Sequence, residues 1–145
     1  MRLIELRYDP PSHGWLTLHL TADSKRIVID ASHVPNNPLQ ELVVALETVA
    51  RGRESAVWWH LEPDGYFTTF KPLGSEVRFN LEFAAGSVRQ LARPIVSLTG
   101  PKAQVLLPFW RFLRDFQSRS YQESDWPEVD FSRMEAVKTS IETTK

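Results

Sequence analysis

The chain contains no cysteine, which removes disulfide frameworks, thiolate nucleophiles and every cysteine-ligated metal or cluster from consideration. Long hydrophobic runs are missing too. No stretch approaches the roughly 20 apolar residues of a membrane span, and the opening "MRLIELRYDPPS" has too few consecutive apolar residues for a signal-peptide core and alternates like a strand. The expectation is a cytoplasmic protein with no membrane partner. An excess of either charge is also absent: 17 Lys and Arg face 18 Asp and Glu, a balance that favours no broad polyanion such as duplex nucleic acid. There is no Gly-x-Ser-x-Gly elbow, no His-Glu-x-x-His, no phosphate loop and no dinucleotide glycine fingerprint. The reading is therefore non-enzymatic, with no cofactor and no metal.

What is present suits one domain spanning 1–145, since 145 residues with 42% hydrophobic content fill one core. Residues 122–145 read as a C-terminal tail with freedom to move. Three alternating segments, 2–8, 14–20 and 25–31, are separated by "DPPSH" and "TADS", whose Asp, Pro and Ser residues favour turns. In the second, Leu16, Leu18 and Leu20 share one face, and Trp15, Thr17 and His19 the other. A helix over 38–51 follows: Asn37 is the expected N-cap, Pro38 the first helical residue, Gln40 the capping-box partner and Gly52 the stop.

Alternation then returns over 55–62, 66–72 and 76–84. "RPIVSLT" suits a seventh strand, Pro108 is taken as the start of a helix over 108–120, and Ser132 with Glu135 announces a short C-terminal helix. The fold class expected is α+β: an antiparallel sheet of about six strands in order βββαβββ, then one long and one short helix, with the helices mainly on one face. Strands 1–3 and 4–6 look like two meanders joined by a helix.

"SAVWWHLEPDGYFTTF", residues 55–70, carries the main functional expectation. With Pro-Asp-Gly as a three-residue turn and Gly65 in the left-handed position, Glu62 pairs with Tyr66. Trp58, His60, Glu62, Tyr66, Thr68 and Phe70 then share one face, and Val57, Trp59, Leu61 and Phe67 the other. Large apolar groups on both faces require cover on both. The leading reading is protein binding or homodimerisation, with Trp58, Tyr66 and Phe70 as anchors and His60 and Glu62 as polar contacts. The plain alternative packs Trp58 and Phe70 under residues 86–107 or the tail.

Two rivals come from other classes. One is a ligand or catalytic pocket around His60 and Glu62, with His19 as a third group and Glu62 and Asp64 as paired carboxylates. His-x-Glu also occurs in zinc deaminases, but those need a downstream Pro-Cys-x-x-Cys that this chain lacks. The other is a nucleic-acid surface built from Arg111, Arg114 and Arg119, with Trp110 and Tyr121 for stacking. Against it, an acidic tail folding back on this basic stretch accounts for the same charges. His33 and the Asn pair of "SHVPNNP" lie where helix N–H groups meet an anion, or simply where a helix is capped. In its general look, a short cysteine-free chain with a Trp-rich hairpin and no catalytic motif, the protein resembles small bacterial accessory and immunity-type proteins. No stretch matches a family motif, and no residue role is carried over.

Overall fold

The computed structural model describes residues 3–143. Arg2, at the head of the first expected strand, and the last two residues of the tail lie outside the described residues. The period-two segments become β1 (Ile4–Tyr8), β2 (Trp15–Ala22), β3 (Lys25–Ser32), β4 (Ser55–His60), β5 (Gly65–Leu73), β6 (Glu76–Ala84) and β7 (Arg93–Pro101). They form one antiparallel sheet in which every strand lies beside its neighbours in sequence. The α+β class, the single antiparallel sheet and the one-sided helices are thus as expected, and the segment of 93–101 adds a seventh strand.

α1 (Pro38–Ala50) starts as its signals require. Asn37 Oδ1 accepts the Leu39 N–H at 3.2 Å and Pro38 opens the helix. Gln40 does not close a capping box. Its side chain instead clamps the tail, accepting the Asp130 N–H at 2.6 Å and donating to the Asp130 carbonyl at 3.3 Å. The helix spans Leu39, Leu42, Leu46 and Val49, all buried at helical spacing.

α2 (Lys102–Gln117) begins a turn and a half earlier than Pro108, which lies inside it. Proline in a helix interior costs about 3 kcal/mol. Val105 and Leu106 are fully buried by the extra turns, and two such side chains contribute about 1.5–3 kcal/mol each. Burial therefore outweighs the proline. α3 (Met134–Glu142) has no side-chain N-cap from Ser132; Asp130 Oδ1 instead accepts the Ser132 N–H at 2.8 Å.

All three helices lie on one side. α1 packs on β4 and β5, α2 on β1, β6 and β7, and α3 on both other helices. The core face of the sheet presents Leu16, Leu18, Leu20, Ile29, Val57, Trp59, Phe70, Phe79 and Leu81, none more than 3% exposed. Phe109 of α2 wedges between Phe70 and Phe79, with ring centroids 5.2 and 5.5 Å away. The sheet also curls: Lys25 Nζ at the head of β3 donates to the Ile95 carbonyl of β7 at 2.8 Å.

The tail is held by apolar packing. Trp126, Val129, Met134, Val137 and Ile141 are buried, and the Trp110 indole donates to the Met134 carbonyl at 2.9 Å. Among the described residues the tail's ion pair runs from Arg133 to Glu47 of α1 at 2.6 Å, not from tail carboxylates to the arginines of α2.

Candidate functional site

β4 is joined to β3 by the single register pair Ser32 and His60. Below that point the two strands diverge, and side chains from the α1 entrance take over the edge of β4. Glu41 Oε1 accepts the Trp58 N–H at 3.0 Å, Asn36 Nδ2 donates to the Trp58 carbonyl at 2.8 Å, and the same Nδ2 donates to Glu41 Oε2 at 2.6 Å. The Asn pair of the helix entrance is therefore structural: Asn36 mimics a neighbouring strand and Asn37 caps. His33 packs edge-on against Trp126 at 5.9 Å.

The hairpin turns differently from the expected Pro-Asp-Gly turn. The loop has four residues, Leu61 to Asp64, closed by the Leu61 N–H donating to the Asp64 carbonyl at 2.8 Å. Glu62, not Gly65, takes the positive φ, at 60°. Gly65 pairs with His60, Tyr66 with Trp59, Phe67 with Trp58 and Phe70 with Ser55. Replacing a three-residue loop by a four-residue one inverts the parity of β5 against β4, so the expected six-residue face does not exist. Tyr66, Thr68 and Phe70 join Val57 and Trp59 on the helix-covered side; Phe70 is wholly buried. Glu62 is exposed in the loop and outside the strand.

The open side of the hairpin carries Trp58, His60 and Phe67. Trp58 and Phe67 stack with centroids 3.9 Å apart and planes 25° apart, and His60 meets Trp58 edge-on at 5.7 Å. The indole lies directly over Gly65, where a Cβ would fall 2.1 Å from the ring. Glycine here makes room for an aromatic, not for a turn. Residues 85–92 fold over the far end of this stack: the Gly86 N–H donates to Asp64 Oδ1 at 2.8 Å, Ser87 Oγ donates to the Pro63 carbonyl at 2.6 Å, and the Arg89 guanidinium sits 4.1 Å above the Phe67 ring. Asp64 is thus a loop anchor. Trp58 is half-buried, and Leu91 on the covering segment is 63% exposed.

Trp15 extends the face across the sheet. It pairs with Ser32, which pairs with His60, so Trp15 and His60 flank a small, buried serine on one cross-strand row, about 10 Å apart. Trp15 is 39% and Val28, also on this side, 52% exposed. Sequence reasoning put Trp15 on the same face as His19 but gave it no role, because its neighbour across β3 becomes visible only once β3 and β4 pair. His60 Nδ1 and Asn36 Oδ1 are buried atoms without a hydrogen-bond partner among the described residues.

The other candidate groups do not converge. His19 is on β2, separated from β4 by β3, and bonds Asp9 through Nε2 at 3.2 Å. Among the described residues no three His, Asp or Glu side chains are grouped to hold a metal ion, and no helix is long and apolar enough to cross a membrane. Arg111 and Arg114 on α2 and Arg119 just beyond it are exposed, but Trp110 is buried against α3 and Tyr121 packs on Phe116 at 4.8 Å. Arg119 is engaged by Asp115 at 3.2 Å. Burial first, then hydrogen bonds with Tyr121 and Asp115, pushes the Tyr8 hydroxyl above its ordinary range. The bond from Tyr8, with Arg119 beside it, holds Asp115 below the usual carboxylate range.

No family model and no curated protein matches the chain. Among solved structures, one chain of the "CdiA-CT/CdiI toxin and immunity complex from Enterobacter cloacae" superposes with a TM-score of 0.46 at 9% identity, over 79% of this chain and 99% of that chain.

Proposed function

We propose that the protein is a non-enzymatic binding module that engages another polypeptide through the open face of its sheet. Trp15, Trp58 and Phe67 supply the apolar contact, and His60 supplies a polar one. The observation that carries this reading is the aromatic row itself: the half-buried Trp58–Phe67 stack and the exposed Trp15 sit on the side of the sheet that no α-helix covers. Exposed aromatic clusters of this kind are costly to leave in water, and Trp and Tyr dominate the anchoring residues of protein interfaces.

Trp15→Ala is the informative variant, because Trp15 is the more exposed of the two indoles on this face, while Trp58 also covers Gly65. It should weaken partner binding by about 2 kcal/mol or more with no loss of thermal stability. The measurement is affinity capture from the native cell extract with wild type and Trp15→Ala side by side, then titration calorimetry on the purified partner. A partner that binds both proteins equally tightly overturns the reading.

A further inference from the structure

The two edges of the sheet are built differently. β7 contains Pro94 and Pro101, which have no N–H to offer, and its pairing with β6 slips at Leu81 and Glu82; both devices discourage another strand from adding there. β1 has neither. Among the described residues its backbone bonds to β2 alone, and the whole strand, Ile4–Tyr8, lines a groove of about 300 Å³ whose other wall is α2 at Pro108, Arg111, Phe112 and Asp115.

The strand reads Ile-Glu-Leu-Arg-Tyr, and its charges are complementary about Leu6. Glu5 and Arg7 are exposed on the open face and neither has an ion-pair partner among the described residues. Two copies of β1 laid antiparallel about a two-fold axis at Leu6 set Glu5 of each copy opposite Arg7 of the other. On the helix side the same register sets Leu6 against Leu6 and Ile4 against Tyr8. We infer that β1 is a self-association edge, through which a second copy of this chain adds its own β1 and the two sheets become one. Such an interface is isologous, each residue meeting its counterpart twice.

The groove carries both signs: Glu5 lines it beside Arg7 and Arg111, and Arg119 is engaged by Asp115. A strand of mixed charge fits it, and β1 is such a strand. Stable interfaces bury roughly 1,200 Å² or more; a contact built on one five-residue strand is short for that, and the dimer expected is weak and concentration-dependent.

Charge exchange tests the register. Sedimentation equilibrium over a concentration series compares wild type, Glu5→Arg, Arg7→Glu, the double exchange, and an equimolar mixture of the two single variants, with circular dichroism confirming the fold of each. Each single variant places like charges opposite one another twice and should raise the dimer Kd by about tenfold or more. The double exchange should restore the dimer, and the mixed singles should form a heterodimer. A wild type that stays monomeric at all concentrations, or a double exchange that fails to restore association in a folded protein, overturns the inference. Trp15→Ala separates it from the open-face reading: a dimer dissolved by that variant but not by Glu5→Arg would be an open-face dimer, and the β1 assignment would be wrong.

Discussion

On the helix side of the β4–β5 hairpin the Trp59 indole donates to Thr68 Oγ1 at 2.9 Å, with both residues almost completely buried. Thr68→Val keeps the shape and removes the acceptor, leaving a buried N–H unpaired. It should cost about 1–3 kcal/mol in urea unfolding, while Thr68→Ser recovers most of that. A neutral Thr68→Val would mean that the indole finds another acceptor. The neighbouring Trp58 shows what could not be read in advance. Two adjacent tryptophans must point to opposite faces of a strand, and that much was legible. Which residues of β5 join each of them depends on the parity of the loop, and Pro-Asp-Gly suits a three-residue turn while Glu62 takes the left-handed position of a four-residue loop. His60 was placed with Trp58 correctly; Tyr66 and Phe70 changed sides.

Among the elements, Lys102 ties three helices together. It is the first residue of α2, and its Nζ donates to the carbonyls of Ala50, Ser140 and Thr143 at 3.3, 2.9 and 2.8 Å. These are the last carbonyls of α1 and α3, the negative ends of two helix dipoles, met by one cation. Lys102→Met preserves the aliphatic stem and removes the donor. Thermal or urea unfolding should show a loss of about 1.5–3 kcal/mol, and a loss below about 0.5 kcal/mol would show that water replaces the ammonium at no cost. Nothing in the local sequence announces this role. Pro108 drew the helix start six residues downstream, and the carbonyls that Lys102 meets come from chain segments some 40 to 50 residues away. Start, face and end of α1 were legible because its cap, its proline and its apolar spacing are all local.

At the scale of the molecule, Glu47 links the first helix to the tail. It accepts a 2.6 Å bond from Arg133 and lies 3.2 Å from Arg51. The Arg133 bond, opposed in part by burial and aided by Arg51, holds its carboxyl below the ordinary value of 4.5. A carboxylate whose folded pKa is depressed gives stability that is present above the unfolded pKa and is lost as pH falls through the folded one. Asp115 acts in the same direction. Stability should therefore decline as pH drops below about 4.5, and Glu47→Gln, less stable at neutral pH, should show a shallower decline. Equal acid slopes for the two proteins in urea titrations would remove Glu47 from this role. The single antiparallel sheet was legible from the alternation of its strands; how its two halves join was not. Its two halves touch through one residue pair, and the rest of that seam is closed by Asn36 and Glu41, side chains that no strand pattern reveals.

Because each strand pairs with its neighbour in sequence, the sheet can close hairpin by hairpin as the chain leaves the ribosome, before α2 and α3 exist to cover it. A nascent chain that has reached Ala84 already holds Trp59, Phe70, Phe79 and Leu81, while α2 and α3 are still to be synthesised. The remaining stretch of roughly 60 residues takes on the order of 3–12 s to emerge at about 5–20 residues per second. For that interval α1 alone covers the inner face, and the apolar surface that α2 later buries is open to other chains.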